Sequence, residues 1–388
     1  MRKLQLLLAL ILVGCTGSSA RLQPPGSSGP MESAVTNSTP APAPLMDAFP
    51  AKFNPCADDE DSIMSAAIRC VEQPWGRAMM NVEVTYHIHP STPKTIEEDT
   101  KSIVAHTLLH AGQFSDLYKS DKPLKLHVVI TNGDRQYCEQ IAKSLGDQYL
   151  SWMWDPRRED GCNQSGGGQG IGTDLENVTS AWWYDSWTSM QPEQRKSFQA
   201  LFSTEVGHAI QNNIGQRYGA SSSFLGLQQA WLGYAWPWIN GFSYSVSSWG
   251  SKRAASYWKR WGLSSGLATW KPSFSDQRWC PQPGTPFAAT CGKYSINQDG
   301  GINGEYPNNY HLIAQMVPFL VARFGPDWIQ ESFWPTFVAE YDGVMGNFYD
   351  TYDRIALRIW NGDWADLENA LDNHVLRQLK QAGIMGLE

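Results

Sequence analysis

Glu205 and His208 stand three residues apart in the stretch Ser197-Phe198-Gln199-Ala200-Leu201-Phe202-Ser203-Thr204-Glu205-Val206-Gly207-His208-Ala209-Ile210-Gln211-Asn212-Asn213-Ile214-Gly215. On a helix, that spacing puts a carboxylate and an imidazole on one side, about a turn apart. Such a pair could contribute one metal ligand and one general base toward a bound water. The same two side chains could instead bond each other or the backbone inside a core helix, as buried polar groups must.

The helix itself is read from Phe198, Leu201, Phe202, Val206, Ala209, Ile210 and Ile214, which recur every three or four positions. Pro192 sits near its expected start and Gly215 just past its expected end, where each residue type is favoured.

Further groups could carry chemistry. Glu305 and His311, flanked by Tyr306 and Tyr310, approach a later apolar helix. With His208 they would complete a His₂Glu set of the kind zinc accepts, although no spacing demands it. His87 and His89 share one face of a predicted strand, where a solvated surface competes with a metal site as explanation. Ten tryptophans, Trp182, Trp183, Trp187, Trp231, Trp236, Trp238, Trp249, Trp258, Trp261 and Trp270, crowd one third of the chain. Most are expected in the core, with a few left to line a cleft for a glycan or peptide. The Gly-rich run from Cys162 to Gly172 lacks the Lys-Ser/Thr of a phosphate-binding loop and is expected to be a flexible loop. No Gly-x-Ser-x-Gly nucleophile elbow occurs.

The chain has 388 residues, enough for one large or two ordinary domains, and its net charge of -8 argues against nucleic acid as a partner. Arg2 and Lys3 followed by the apolar run Leu4 to Val13 predict an export signal. Leu12-Val13-Gly14-Cys15 resembles a bacterial lipobox, which implies a signal over residues 1–15 and lipidation of Cys15 by diacylation or palmitate. That would anchor the protein to a bacterial cell membrane or outer membrane. Residues 16–50, rich in Ser, Gly, Pro and Ala, are expected to form a disordered tether. The other six cysteines form an even set in an exported chain, which favours three disulfides. Their clustering suggests Cys56–Cys70, Cys138–Cys162 and Cys280–Cys291 among 15 possible connectivities.

The elements that must position these groups follow from periodicity. Residues 53–75 are expected to cap the domain under the first disulfide. Strands are predicted over 80–89 and 124–130, and helices over 96–117 and 135–145. Leu225 to Trp236 should begin a helical segment, and Tyr310 to Pro326 should form a helix ended by Gly325 and kinked by Pro318. Further helices are predicted over 327–337, 347–361 and 363–382. The fold class is α+β: a small mixed sheet with helices at about 80–190, followed by a mostly helical part at about 191–382.

Thr204-Glu205-Val206-Gly207-His208 resembles the His-Glu-x-x-His zinc helix of gluzincin metallopeptidases, with Thr204 where the first His would stand. The third ligand in that family is a Glu on the following helix, in a context such as Trp-Leu-x-Glu-Gly. Here Trp231-Leu232-Gly233 leads into Tyr234, and no Asp or Glu occurs between His208 and Asp276. The helix ending at Phe324-Gly325 is similar to the gluzincin helix that closes on a Tyr/Phe-Gly pair. The resemblance implies a zincin-like domain over 51–388 that has lost its ligands at Thr204 and Tyr234. Glu205, His208 and Tyr310 would be vestiges of its active site. The expectation is therefore a lipid-anchored binding protein without zinc, whose ligand is a peptide, protein or glycan. The alternatives are a metallopeptidase using His208, His311 and Glu305, and a Trp-rich surface for glycans or peptides.

Overall fold

The structure, a computed structural model, describes residues 63–118, 120–132, 134–145, 167–172, 177–184, 187–217, 231–262, 309–341 and 374. It opens with helix α1 (Ile63–Glu72), followed by strand β1 (Val82–Ile88) and helices α2 (Lys94–Leu109) and α3 (Gly112–Tyr118). Strand β2 (Leu124–Thr131), helix α4 (Arg135–Leu145) and strands β3 (Gly167–Gly172) and β4 (Asn177–Trp183) complete the sheet half. The helical half holds α5 (Pro192–Arg217), α6 (Trp231–Trp249), α7 (Ser251–Gly262) and α8 (Asn309–Phe324). A π-helical turn (Ile329–Phe333) then leads into α9 (Trp334–Glu340). The molecule is therefore α+β, with a small mixed sheet, interleaved with α1–α4, preceding the helical half.

The sheet order is β1-β2-β4-β3, with β1, β2 and β4 parallel and β3 antiparallel at the edge. Parallel neighbours need a crossover, which α2 and α3 supply between β1 and β2. Leu124, Leu126, Val128 and Ile130 alternate along β2 and enter the main core with Val178 and Trp182 of β4. Val129 and Ala181 point to the other face, where Ala142 of α4 covers them.

Several expectations need correction. Gly167–Gly172, taken from sequence as part of a flexible loop, is strand β3, paired residue by residue with β4 from Gly167↔Trp183 to Gly172↔Val178. Glycine weakens strand propensity and leaves no alternation to read, yet it allows another backbone to approach closely. Here α5 packs against β3. The predicted helix 96–117 is two helices, broken at His110 and Ala111, where the His110 N–H bonds back to Thr107 O at 3.1 Å. Gly215 lies inside α5 and not past its end. The predicted helix 327–337 contains a π-helical turn. By contrast, α4 matches its predicted span, Pro192 opens α5, and Gly325 ends α8 with φ 82° and its N–H on Val321 O at 2.9 Å. Pro318 sits within α8. The helices expected over 347–361 and 363–382 lie outside the described residues, apart from His374, which is helical and buried.

Helix α5 is the central strut, packed on β3, β4, α2, α3 and α6. Phe198, Phe202, Val206, Ala209 and Ile210 of its apolar stripe are buried and Leu201 half-buried, but Ser203, Thr204, His208, Gln211 and Asn213 on its other sides are buried too. A helix buried on more than one side shows little amphipathic contrast in sequence. Its contact with α6 is close. A Cβ at Gly241 would meet Thr204 Oγ1 at 2.7 Å and Ala200 O at 2.8 Å, and one at Gly207 would meet Pro237 Cα at 2.9 Å.

A polar network fixes this crossing. Asn240 Nδ2, fully buried on α6, donates to Ser203 O at 2.9 Å, Ser203 Oγ at 2.8 Å and Thr107 Oγ1 at 2.8 Å, joining α5, α6 and α2. Arg195 of α5 grips Asp99 of α2 through Nε at 2.6 Å and a terminal nitrogen at 2.8 Å. Tryptophan fills the joints, as expected for most of the ten: Trp182, Trp187, Trp236, Trp238, Trp258 and Trp261 are buried.

Gly241→Ala should lower unfolding stability by about 1–3 kcal/mol through overpacking. Asn240→Ala should cost a similar amount, about 1–3 kcal/mol, by stranding its buried partners. Urea unfolding of both variants checks this; a loss within error of zero for either would show that the crossing relaxes freely.

Candidate functional site

The candidate site is the stretch of α5 from Thr204 to His208, with the helix start of α6 that faces it. Ser203 contacts Asn240, Thr204 sits at Gly241, and Gly207 sits at Pro237, so α5 and α6 run antiparallel. Continuing that register by one turn carries the backbone of Tyr234, on the first turn of α6, level with the His208–Gln211 turn of α5. The positions singled out in the sequence, 204, 208 and 234, thus share one helix pair.

Thr204 does not offer a ligand there. It is buried, its hydroxyl donates to Ala200 O at 3.1 Å within its own helix, and Gly241 abuts the oxygen. A neutral hydroxyl is a poor zinc donor to begin with. This one is turned inward, in a space that the α6 backbone closes. An imidazole at 204 has no room to reach toward His208 without parting the two helices. Glu205 is half-buried and His208 buried. Burial pushes the His208 imidazole down to about 3, so it is neutral at ordinary pH. A neutral imidazole can ligate metal, but one such group with Thr204 turned away falls short of the three protein ligands of a catalytic zinc. Among the described residues no cluster of three or more His, Cys, Asp or Glu could hold a metal ion. Among the described residues, then, the Thr204–His208 turn and the facing start of α6 supply fewer protein ligands than a catalytic zinc takes.

The remaining sequence candidates are scattered or outside the described residues. Tyr310 and His311 lie on the first turn of α8, a helix that packs on α1, α6 and α7. Glu305, Cys15, Cys56, Cys162, Cys280 and Cys291 lie outside the described residues, while Cys70 and Cys138 are buried. His87 and His89 do not form a pair. His87 Nε2 lies 3.4 Å from His127 Nδ1 across to β2, whereas His89 Nδ1 lies 2.8 Å from Ser91 Oγ and its Nε2 3.5 Å from Asp134.

Sequence reading missed a second group of ionisable residues. At the end of α2, His106 and His110 lie with ring centroids 4.5 Å apart, and His110 stacks on Trp75 at 3.9 Å. Burial, then the neighbouring His110, push His106 down to about 3. Asp327, just before the π-helical turn, is pushed up to about 6 mainly by burial. The i, i+4 spacing of His106 and His110 was the available signal. Their partial burial depends on Trp75 and on Tyr244 of α6, which no local pattern reveals.

Comparison with protein-family models, with curated proteins and with solved structures finds no match.

Two imidazoles, of buried His208 and half-buried His106, set an acid limit. His106 and His208 take up protons in the unfolded chain at their ordinary 6.5 but resist them in the fold. Their contribution to stability is complete above pH 6.5 and declines as pH falls toward 3. Asp327 acts in the opposite sense: its contribution is present below its ordinary 3.8 and lost as pH rises through about 6. Urea midpoints should therefore begin to fall between pH 7 and 6 and keep falling below 6, where Asp327 offsets part of the loss, and His208→Gln should flatten the curve. A midpoint independent of pH from 7 to 4.5 would contradict burial of the neutral imidazoles. Thr204→His should also destabilise the fold without creating a tight zinc site, as checked by unfolding and metal analysis on the same sample.

Proposed function

We propose that the chain is an exported, lipid-anchored binding protein built on a degenerate gluzincin-like domain that has lost zinc and peptidase activity. The observation that carries this is the state of Thr204. At the position where a peptidase helix would present its first imidazole, the hydroxyl is spent inside α5 and packed against Gly241 of α6. The mixed sheet leading into the Glu205/His208 helix, and the antiparallel α6 carrying Tyr234, support the domain assignment. On this reading Cys15 is lipidated, residues 16–50 hold the body away from the membrane, and the buried Cys70 and Cys138 bond Cys56 and Cys162.

The ligand class we favour is an extended peptide. Among the described residues β1 and β3 are the two edge strands; β3 has β4 as its one hydrogen-bonded neighbour, and α5 packs beside it. An extended chain can add to such an edge through main-chain hydrogen bonds while side pockets select its residues.

Zinc stoichiometry of the full chain, measured after zinc loading and removal of excess, tests the reading. The expected result is close to zero zinc per chain, unchanged by His208→Ala. One tightly held zinc that disappears in His208→Ala would overturn it. Glu305→Ala and His311→Ala would then locate recruited ligands.

A further inference from the structure

A cavity of about 400 Å³ opens at the other end of α5, between its first two turns, the start of α2, the end of α6 and the start of α7. It lies within the size range of small-molecule sites. Its walls join indole rings, Trp187 and Trp249, to a polar side made of Arg195, Lys196, Gln199 and Arg253. Among the described residues no Asp or Glu lines it.

The donors differ in how far they are already committed. Arg195 is held by Asp99, and Lys196 reaches Glu193 at 2.9 Å, so both charges are largely answered within the protein. Arg253 is exposed and its guanidinium makes no ion pair among the described residues. Gln199 is 8% exposed, and its Oε1 accepts from Trp249 Nε1 at 2.6 Å. An indole nitrogen only donates, so this bond fixes which end of the amide is oxygen. The Nε2 donors of Gln199 are left at the cavity wall with no partner among the described residues. Helix α2 adds to the same side: its N-cap residue is Pro93, which supplies no capping bond, and Pro93 and Thr95 both line the cavity. First-turn N–H groups without a capping side chain favour negative charge.

We propose that this cavity binds a small organic acid, with its carboxylate on Arg253 and Gln199 Nε2 and a flat ring against Trp249 and Trp187. One uncommitted guanidinium and one amide match the two oxygens of a carboxylate, whereas a phosphate dianion calls for more positive charge. The indole walls supply a rigid apolar surface for a ring. Among the described lining residues no carboxylate offers an acceptor, which disfavours a neutral sugar, whose hydroxyls need acceptors. This site is separate from the Thr204–His208 region, and stands or falls apart from the reading of that region.

The test is calorimetric titration of the full chain with naphthalene-2-carboxylate, with 2-naphthalenemethanol as the neutral counterpart. The expected result is saturable one-site binding of the acid, weakened by salt, and at least about tenfold weaker binding of the alcohol. Arg253→Gln, an exposed substitution that leaves packing alone, should weaken the acid by about tenfold and leave the alcohol unchanged. His208→Ala should bind the acid as the parent does. Equal binding of acid and alcohol, no saturable binding, an unaffected Arg253→Gln, or displacement by equimolar inorganic phosphate would each overturn the proposal.

Discussion

The close approach of α5 and α6 is the constraint from which the rest of the molecule follows. Where Gly207 meets Pro237 and Gly241 meets Thr204 there is no space for a methyl group. Such contact brings main chain against main chain, and it requires each polar group in the seam to be satisfied locally. Asn240 does this for Ser203 and Thr107, and Thr204 does it for itself through Ala200 O. The price is chemical: a residue whose hydroxyl closes a helix seam cannot present that oxygen to a metal or a substrate.

The same crossing separates the two ends of α5. Toward its C-terminal half the helix is enclosed by strands and helices, and the His208 imidazole is held neutral by burial. At its start, Arg195 and Glu193 lie close to solvent in ion pairs with Asp99, Lys196 and Arg260. Charge is answered by charge there, and water still reaches the groups, so each pair is weak individually. A single helix thus passes from a solvated, charged end beside a cavity to a dry interior where polar side chains bond backbone.

Local reading recovered the elements whose signals are strong over short distance. The alternation in β1 and β2, the span of α4, the Pro192 start of α5 and the Gly325 end of α8 are each written within a few residues. It failed for β3, because glycines carry no side-chain period and the strand exists through its pairing with β4 and the packing of α5. It failed at Gly215 for a related reason: a glycine is favoured past a helix end, but surrounding structure can carry a helix through it. The break at His110 and Ala111 was equally silent, since the apolar pattern continues across it while the backbone turns.

For the candidate site, the residue types alone decided that α5 carries one imidazole and one carboxylate three positions apart, with Thr204 and Tyr234 at the other positions of interest. Chemistry that depends only on which atoms are present is legible in that way. Tertiary structure alone decided what those atoms face. The turn of the Thr204 hydroxyl into its own helix, the closure of its space by Gly241 thirty-odd residues away, and the commitment of Gln199 Oε1 to Trp249 all depend on contacts between distant elements. The physical reason is that a side chain's identity is local, whereas its burial, its protonation and its free hydrogen-bonding groups are set by neighbours that the fold brings to it.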